Sequence, residues 1–79
     1  MSPGSDEARL RRVIARVAKV DPDSFGVDDD LKTTLGLDSL SSLRVAAGVE
    51  REFGVTIPDE KLHDLPTVRA ILEYLTQLK

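Results

Sequence analysis

The stretch LGLDSLSSLRVAAGVEREFG, residues 35–54, carries the strongest indication of the fold of this chain. From Ser39 onward its apolar residues recur at helical spacing, and Gly54 follows them as glycines commonly follow a helix C-terminus. The apolar stripe consists of Leu40, Leu43, Ala46, Ala47 and Phe53, broadened by Val45 and Val49. We therefore predict a helix from Ser39 to Phe53. Gly48 inside it costs about 1 kcal/mol relative to alanine, which suggests close packing against a neighbouring backbone.

Two further amphipathic helices are predicted on either side of this one. The first has its stripe at Leu10, Val13, Ile14, Val17 and Ala18, and the last has its stripe at Val68, Ile71, Leu72, Leu75 and Leu78. Pro22 closes the first helix, and Pro66-Thr67 begins the last. Acids in the first turn of the first helix and Arg16 with Lys19 in its last turn match the helix macrodipole.

The remaining segments predict connections and one short helix. Residues 20–38 hold six acids against Lys32 and are rich in turn formers, so they predict a long loop. Residues 55–58 predict an extended connector that places Val55 and Ile57 in the core, and residues 59–64 predict a short helix. The fold class is all-α: an antiparallel bundle of three main helices plus one short helix, with the long loop between helices one and two.

Composition limits both the architecture and the chemistry. A chain of 79 residues with 41% hydrophobic residues has room for one small core, so we expect a single domain over 1–79 with a flexible tail at 1–5. The lack of cysteine excludes disulfides, thiolate zinc sites and a thiol nucleophile. No signal peptide or apolar span is evident, which predicts a cytoplasmic protein.

The residues Asp38 and Ser39 stand where the acidic loop meets the start of a helix. Free N–H groups and the positive end of the macrodipole at such a junction can accommodate a phosphodiester on a serine oxygen, and Gly36 allows the chain to turn sharply before it. Asp38 or Ser39 could instead simply cap the helix. Local chemistry leaves both readings open.

The wider pattern resembles the acyl carrier protein family. The resemblance rests on the motif at residues 35–40, on EREFGVTIPDE at residues 50–60, and on Thr67-Val68 with Tyr74 in the last helix. It implies that Ser39 receives 4'-phosphopantetheine from coenzyme A, with Asp38 and Leu40 helping to dock the phosphopantetheinyl transferase. It also implies that the chain is no enzyme, and that its helices can part to admit an apolar acyl chain.

Departures from the family pattern bear on pathway and partners. Fatty acid carriers usually have an acidic recognition helix, whereas this chain has Arg44 there and Thr33-Thr34 before the motif. We therefore expect a carrier of polyketide, fatty acid or related specialised biosynthesis, and favour the specialised pathways. The alternatives are an aminoacyl or peptidyl carrier and an unmodified helical interaction module. The residues expected to contact partners are Ser41, Ser42, Arg44, Ala47 and Arg51.

The expected partners are the transferase and a loading ligase, an acyltransferase or a ketosynthase, with no nucleic acid or membrane partner, and the chain is expected to be a monomer.

We interpret the arginines of the first helix as a solvated face, because acids follow them and the net charge is −3. We expect Asp28, Asp29 and Asp30 to be solvated residues of the loop and not a metal site. We interpret His63 as a surface or packing residue and not as the base of a hydrolase, since the sequence has no nucleophile-elbow pattern. The polar start and the end after the last helix suggest a free-standing protein.

Overall fold

The computed structural model describes residues 5–62 and 64–78, which form helices and no β-strand. The helices in this part of the chain are α1 (Asp6–Ala18), α2 (Leu31–Leu35), α3 (Ser39–Phe53), α4 (Asp59–Leu62) and α5 (Val68–Gln77). The predicted all-α fold with three main helices is confirmed, and α3 has the predicted bounds. Two short helices are present where one is predicted, and the additional one is α2.

Helix α2 forms inside the predicted long loop. Asp30 is its N-cap, with a carboxylate oxygen accepting a hydrogen bond of 3.0 Å from the backbone N–H of Thr33. Gly36 ends the helix in the left-handed conformation, with φ at 67°. Leu31 and Leu37 are buried on either side of this turn. A helix of five residues is too short to show a helical periodicity in sequence, which is why the pattern predicts only a loop.

Hydrogen bonds from two arginines hold the rest of the loop against the helices. The Arg11 guanidinium donates to the carbonyl oxygens of Pro22 at 2.9 Å and Phe25 at 2.6 Å, and the Phe25 side chain is buried. From α5, the Arg69 guanidinium donates to both carboxylate oxygens of Asp28, at 2.6 and 3.1 Å. The long connection therefore packs against the bundle over much of its length.

Helices α1 and α3 run antiparallel and approach closely at Gly48. A Cβ atom at Gly48 would lie 2.7 Å from Cγ1 of Val13, closer than van der Waals contact allows. One turn further along α3, Glu52 pairs with Arg9 of α1 at 2.9 Å. Gly48 therefore does permit a close approach, but the neighbour is the stiff, β-branched side chain of Val13 and not a backbone as predicted.

The buried side of α3 differs from the predicted stripe. Val45, Ala46 and Val49 are buried, whereas Leu40 is 59% exposed, Leu43 is 46% exposed and Ala47 is exposed. The apolar residues of α3 lie on two sides of the helix, and only one side meets the core formed with α1 and α5. Leu78, which is predicted in the stripe of the last helix, is also exposed, and it is the C-cap that follows the last helical residue, Gln77.

The ends of the elements follow ordinary capping chemistry. Ser5, assigned by the sequence to the tail, is the N-cap of α1: its hydroxyl accepts a hydrogen bond from the N–H of Ala8. Lys19 is the C-cap of α1, and Thr67 caps α5. In the connector after α3, Ile57 is buried as predicted, and its N–H donates to a carboxylate oxygen of Glu50 at 2.6 Å.

Candidate functional site

The start of α3 is organised by Asp38. Its carboxylate accepts a hydrogen bond of 2.8 Å from the N–H of Ser41, and its backbone carbonyl accepts one of 2.9 Å from the N–H of Ser42. The bond from Ser41 satisfies an N–H group that a helix N-terminus otherwise leaves without a partner, and the bond from Ser42 is the first hydrogen bond within the helix itself. Because Gly36 has a positive φ, the chain turns out of α2 and enters α3 after only three intervening residues, 36–38.

This geometry distinguishes the two interpretations of the Asp38-Ser39 pair, a helix cap and an attachment site. Asp38 provides the cap, while Ser39 is the exposed first residue of α3. Within residues 5–62 and 64–78, the Ser39 hydroxyl has no hydrogen-bond partner. The serine side chain is therefore not engaged in capping and is accessible to solvent.

The charge at this end of α3 suits an attached phosphodiester. The hydrogen bonds from Ser41 hold the pKa of the Asp38 carboxyl below its usual range, and the charge of Arg44 contributes. Asp38 is thus a carboxylate at neutral pH, and its charge is turned toward the N–H of Ser41. A phosphodiester on the Ser39 oxygen would lie at the positive end of a helix of 15 residues, which favours an anion. The exposed hydroxyl and this local field both fit phosphopantetheine.

Asp38→Asn is expected to reduce the acid sensitivity of the fold. The carboxyl pKa is lowered in the folded state, so its stabilising effect is present above the unfolded pKa of about 3.9 and is lost as pH falls through the lowered value. Asparagine is an equally good cap but does not titrate.

The measurement is the Tm by circular dichroism between pH 7 and about pH 2. Over this range the Tm of the wild type should fall further than the Tm of the variant. The pKa values of Asp28 and Glu52 are also lowered, by hydrogen bonds from Arg69 and Arg9, but these groups are shared by both proteins. Parallel curves for the two proteins would contradict the prediction.

A cavity of about 190 Å³ opens beside the same end of α3. Its apolar lining comes from α2, α3, α4, α5 and the segments between them, and consists of Leu31, Leu37, Val45, Leu62, Leu65, Pro66 and Ile71. Asp30, Lys32 and Ser42 also border it. Ser42 follows Ser39 by three residues, which is a rise of about 4.5 Å on the same face of the helix. The cavity is thus within one helical turn of Ser39.

The predicted partner-contact residues occupy two different environments. Arg44, Ala47 and Arg51 are exposed, in agreement with a role in contacts, whereas Ser41 and Ser42 are half-buried. Ser41 is engaged by Asp38, and Ser42 borders the cavity. Sequence reasoning missed the exposed Leu43 and the residues of the cavity. The only sequence feature that could have indicated the cavity is Leu37, an apolar residue between Gly36 and the cap.

The other predicted features have separate local roles. Asp28 pairs with Arg69, Asp29 accepts a hydrogen bond from the N–H of Gly26, and Asp30 caps α2. Among the described residues no group of acidic or histidine side chains could hold a metal ion, and no helix is long and apolar enough to cross a membrane. The predicted role of His63 and the first four residues of the predicted tail lie outside the described residues.

The chain is similar to known proteins of one family over most of its length. The family described as "Phosphopantetheine attachment site" matches residues 8–75. A protein named acyl carrier protein from Treponema pallidum is 36% identical over 67 residues, which cover 85% of this chain and 86% of the relative. One from Rhodococcus erythropolis is 35% identical over 72 residues, covering 91% and 79%. One from Thermobifida fusca is 41% identical over 58 residues, covering 73% and 67%.

The match extends across α1, α3 and α5, the three main helices of the fold, and includes the junction at Ser39. Identity above 30% over most of both chains is found for relatives from different genera. The chain therefore belongs to the acyl carrier protein family, whose members are non-catalytic carriers with covalently attached 4'-phosphopantetheine.

Proposed function

We propose that Ser39 is the attachment residue and that the chain carries acyl groups in polyketide or related specialised biosynthesis. The observation behind this proposal is the exposed Ser39 hydroxyl, which has no hydrogen-bond partner in the described part of the chain and begins α3 beside the Asp38 cap. Bound phosphopantetheine supplies a terminal thiol on which an acyl group is held as a thioester, a chemistry that this cysteine-free chain lacks.

Asp38 and Leu40 are proposed to contact the phosphopantetheinyl transferase. They flank Ser39, and both are exposed, Leu40 strongly so. An exposed leucine next to an ionised carboxylate offers a partner one apolar and one charged contact within a few ångströms of the reacting hydroxyl. Such a pair fixes the orientation of the serine toward the transferase, and orientation is what a group-transfer reaction requires.

The exposed face of α3 is proposed as the contact for the biosynthetic enzymes. We define this face as Leu40, Leu43, Arg44, Ala47 and Arg51. Its charges are both positive, and apolar side chains lie between them, so it is complementary to an acidic enzyme surface with an apolar centre. Ser41 is proposed to contribute at the edge of this face. Enzymes whose docking surface is basic would gain little from it, which favours a specialised pathway.

Arg44→Glu is expected to raise kcat/KM about two- to fivefold with an acyltransferase or ketosynthase whose docking surface is basic. An exposed charge pair contributes about 0.2–1 kcal/mol, and the substitution exchanges a repulsion for an attraction. The enhancement should fade at high salt, because exposed charges are screened.

The matched control is Lys61→Glu, which makes the same change of charge at an exposed position of α4. An equal response of the two variants would mean that net charge, and not the exposed face of α3, controls the reaction. A decrease for Arg44→Glu alone would mean that Arg44 makes a favourable contact with the enzyme, and that the basic docking surface of the enzyme meets another part of the carrier.

The proposal is tested by measuring the intact mass after incubation with coenzyme A and a broad-specificity phosphopantetheinyl transferase, followed by peptide mapping. We expect one phosphopantetheine increment on the peptide that contains Ser39. An unmodified chain beside an active control carrier would favour the helical interaction module. Loading of the holo form by an amino acid adenylating enzyme, and not by acyl donors, would favour the aminoacyl or peptidyl carrier.

A further inference from the structure

The residues that line the cavity beside α3 differ in burial and in polarity. The interior is formed by buried side chains, among them Leu31, Val45 and Ile71. The polar residues that border it are more accessible: Lys32 is exposed and Ser42 is half-buried. A guest in this cavity therefore meets apolar surface among the buried residues, and among the more accessible ones it meets polar groups as well as Leu62, Leu65 and Pro66.

Ser42 is the polar residue best placed to bind a guest. Its backbone N–H donates to the carbonyl oxygen of Asp38, but within the described residues its hydroxyl has no hydrogen-bond partner. The carboxylate of Asp30, by contrast, already accepts the capping hydrogen bond from Thr33. A half-buried hydroxyl without a protein partner must bind water or a guest, because leaving it unpaired is unfavourable.

A tethered acyl chain can enter this cavity in one direction only. Its thioester end is held by the arm at Ser39, so its free tail must go in first. The volume of about 190 Å³ is somewhat larger than the roughly 150 Å³ of a cavity that accepts a six-carbon ring. A chain of about six carbons therefore fills the interior and leaves its carbons nearest the thioester at the rim, beside Ser42.

We propose that the cavity prefers a short acyl chain that has an oxygen on its third carbon, a 3-oxo or 3-hydroxy group, and that Ser42 determines this preference by hydrogen bonding to that oxygen. The inference rests on the proposed attachment at Ser39. A saturated chain of the same length buries equal apolar surface, but it displaces the water from Ser42 without replacing the hydrogen bond. The oxygenated chain replaces it.

The experiment compares two guests on the full chain. Hexanoyl and 3-oxohexanoyl phosphopantetheine are transferred from their coenzyme A thioesters, and the mass of the Ser39 peptide verifies each loading. Methyl chemical shifts of Leu37, Val45 and Ile71 then report the fraction of inserted chain. We expect the insertion equilibrium of wild type to favour 3-oxohexanoyl by about two- to tenfold, the range of one hydrogen bond.

Substitutions of Ser42 identify the source of the preference. Ser42→Ala should remove it, and Ser42→Thr, which keeps the hydroxyl, should retain it. The matched control Thr34→Ala removes a hydroxyl from an exposed position of α2 that does not border the cavity, and it should behave as wild type.

The possible failures are distinguishable. Equal insertion of both guests in wild type, an unchanged preference in Ser42→Ala, or cavity methyls that respond to neither guest would each overturn the inference while leaving the carrier function intact. Absence of acyl mass on the Ser39 peptide would overturn the proposed attachment, and the inference would fall with it.

Discussion

Ser39→Ala is expected to abolish incorporation of phosphopantetheine and to leave the helical circular dichroism spectrum unchanged. The substitution removes one oxygen atom, the proposed acceptor of the phosphopantetheinyl group. The fold does not depend on that atom, because α3 is capped by Asp38 and the Ser39 side chain is exposed. Alanine is also a good helix former, so the stability should change by no more than about 0.5 kcal/mol. Intact mass and a thermal melt provide the two measurements.

The control for this variant is Ser24→Ala. Ser24 is an exposed serine of the loop, whose hydroxyl donates only to the backbone carbonyl of Asp21, and its loss should leave incorporation at the wild-type level. Phosphopantetheine found on Ser39→Ala would show that another serine is the acceptor. A clear loss of helical signal for Ser39→Ala would mean that the serine has a structural role.

The sequence predicts the junction at Ser39 well because its elements are local. A capping aspartate, a glycine with positive φ and the residue that follows the cap depend on only a few neighbouring positions. The predicted helix start at Ser39 and the sharp turn at Gly36 are accordingly found, and the structure adds that Asp38 is the capping residue. The cavity could not be predicted in this way, since its walls come from four helices and from segments far apart in sequence.

The two faces of α3 show a second limit of pattern reasoning. Leu40, Leu43 and Ala47 recur at helical spacing, and so do Val45, Val49 and Phe53. Periodicity identifies both sets as apolar stripes, but it does not say which stripe meets the core. In the structure Val45 and Val49 face the core, while Leu40 and Leu43 remain exposed on the side that carries Arg44. Their exposure gives α3 an apolar surface that a partner enzyme can cover.

Leucine-to-alanine substitutions at Leu10 and Leu40 are expected to differ widely in effect. Leu10 of α1 is fully buried among the core side chains, and its truncation should lower the free energy of unfolding by about 2–5 kcal/mol. A domain of this size has a net stability of only roughly 3–5 kcal/mol. Leu10→Ala should therefore lose most of the stability of the fold, and it should unfold at a much lower urea concentration and temperature than the wild type.

The same truncation at Leu40 should change the free energy of unfolding by less than about 0.5 kcal/mol, since most of that side chain is already in water and alanine is the better helix former. The pair tests whether Leu40 lies on the exposed face of α3 without any partner enzyme, because the chemical change is the same as at the buried Leu10 of α1 and the burial differs. Comparable losses at both positions would mean that Leu40 packs into the core, as the sequence pattern alone predicts. In that case the exposed face of α3 would lose its apolar contact next to Ser39, and the proposed docking through Leu40 would have to be abandoned.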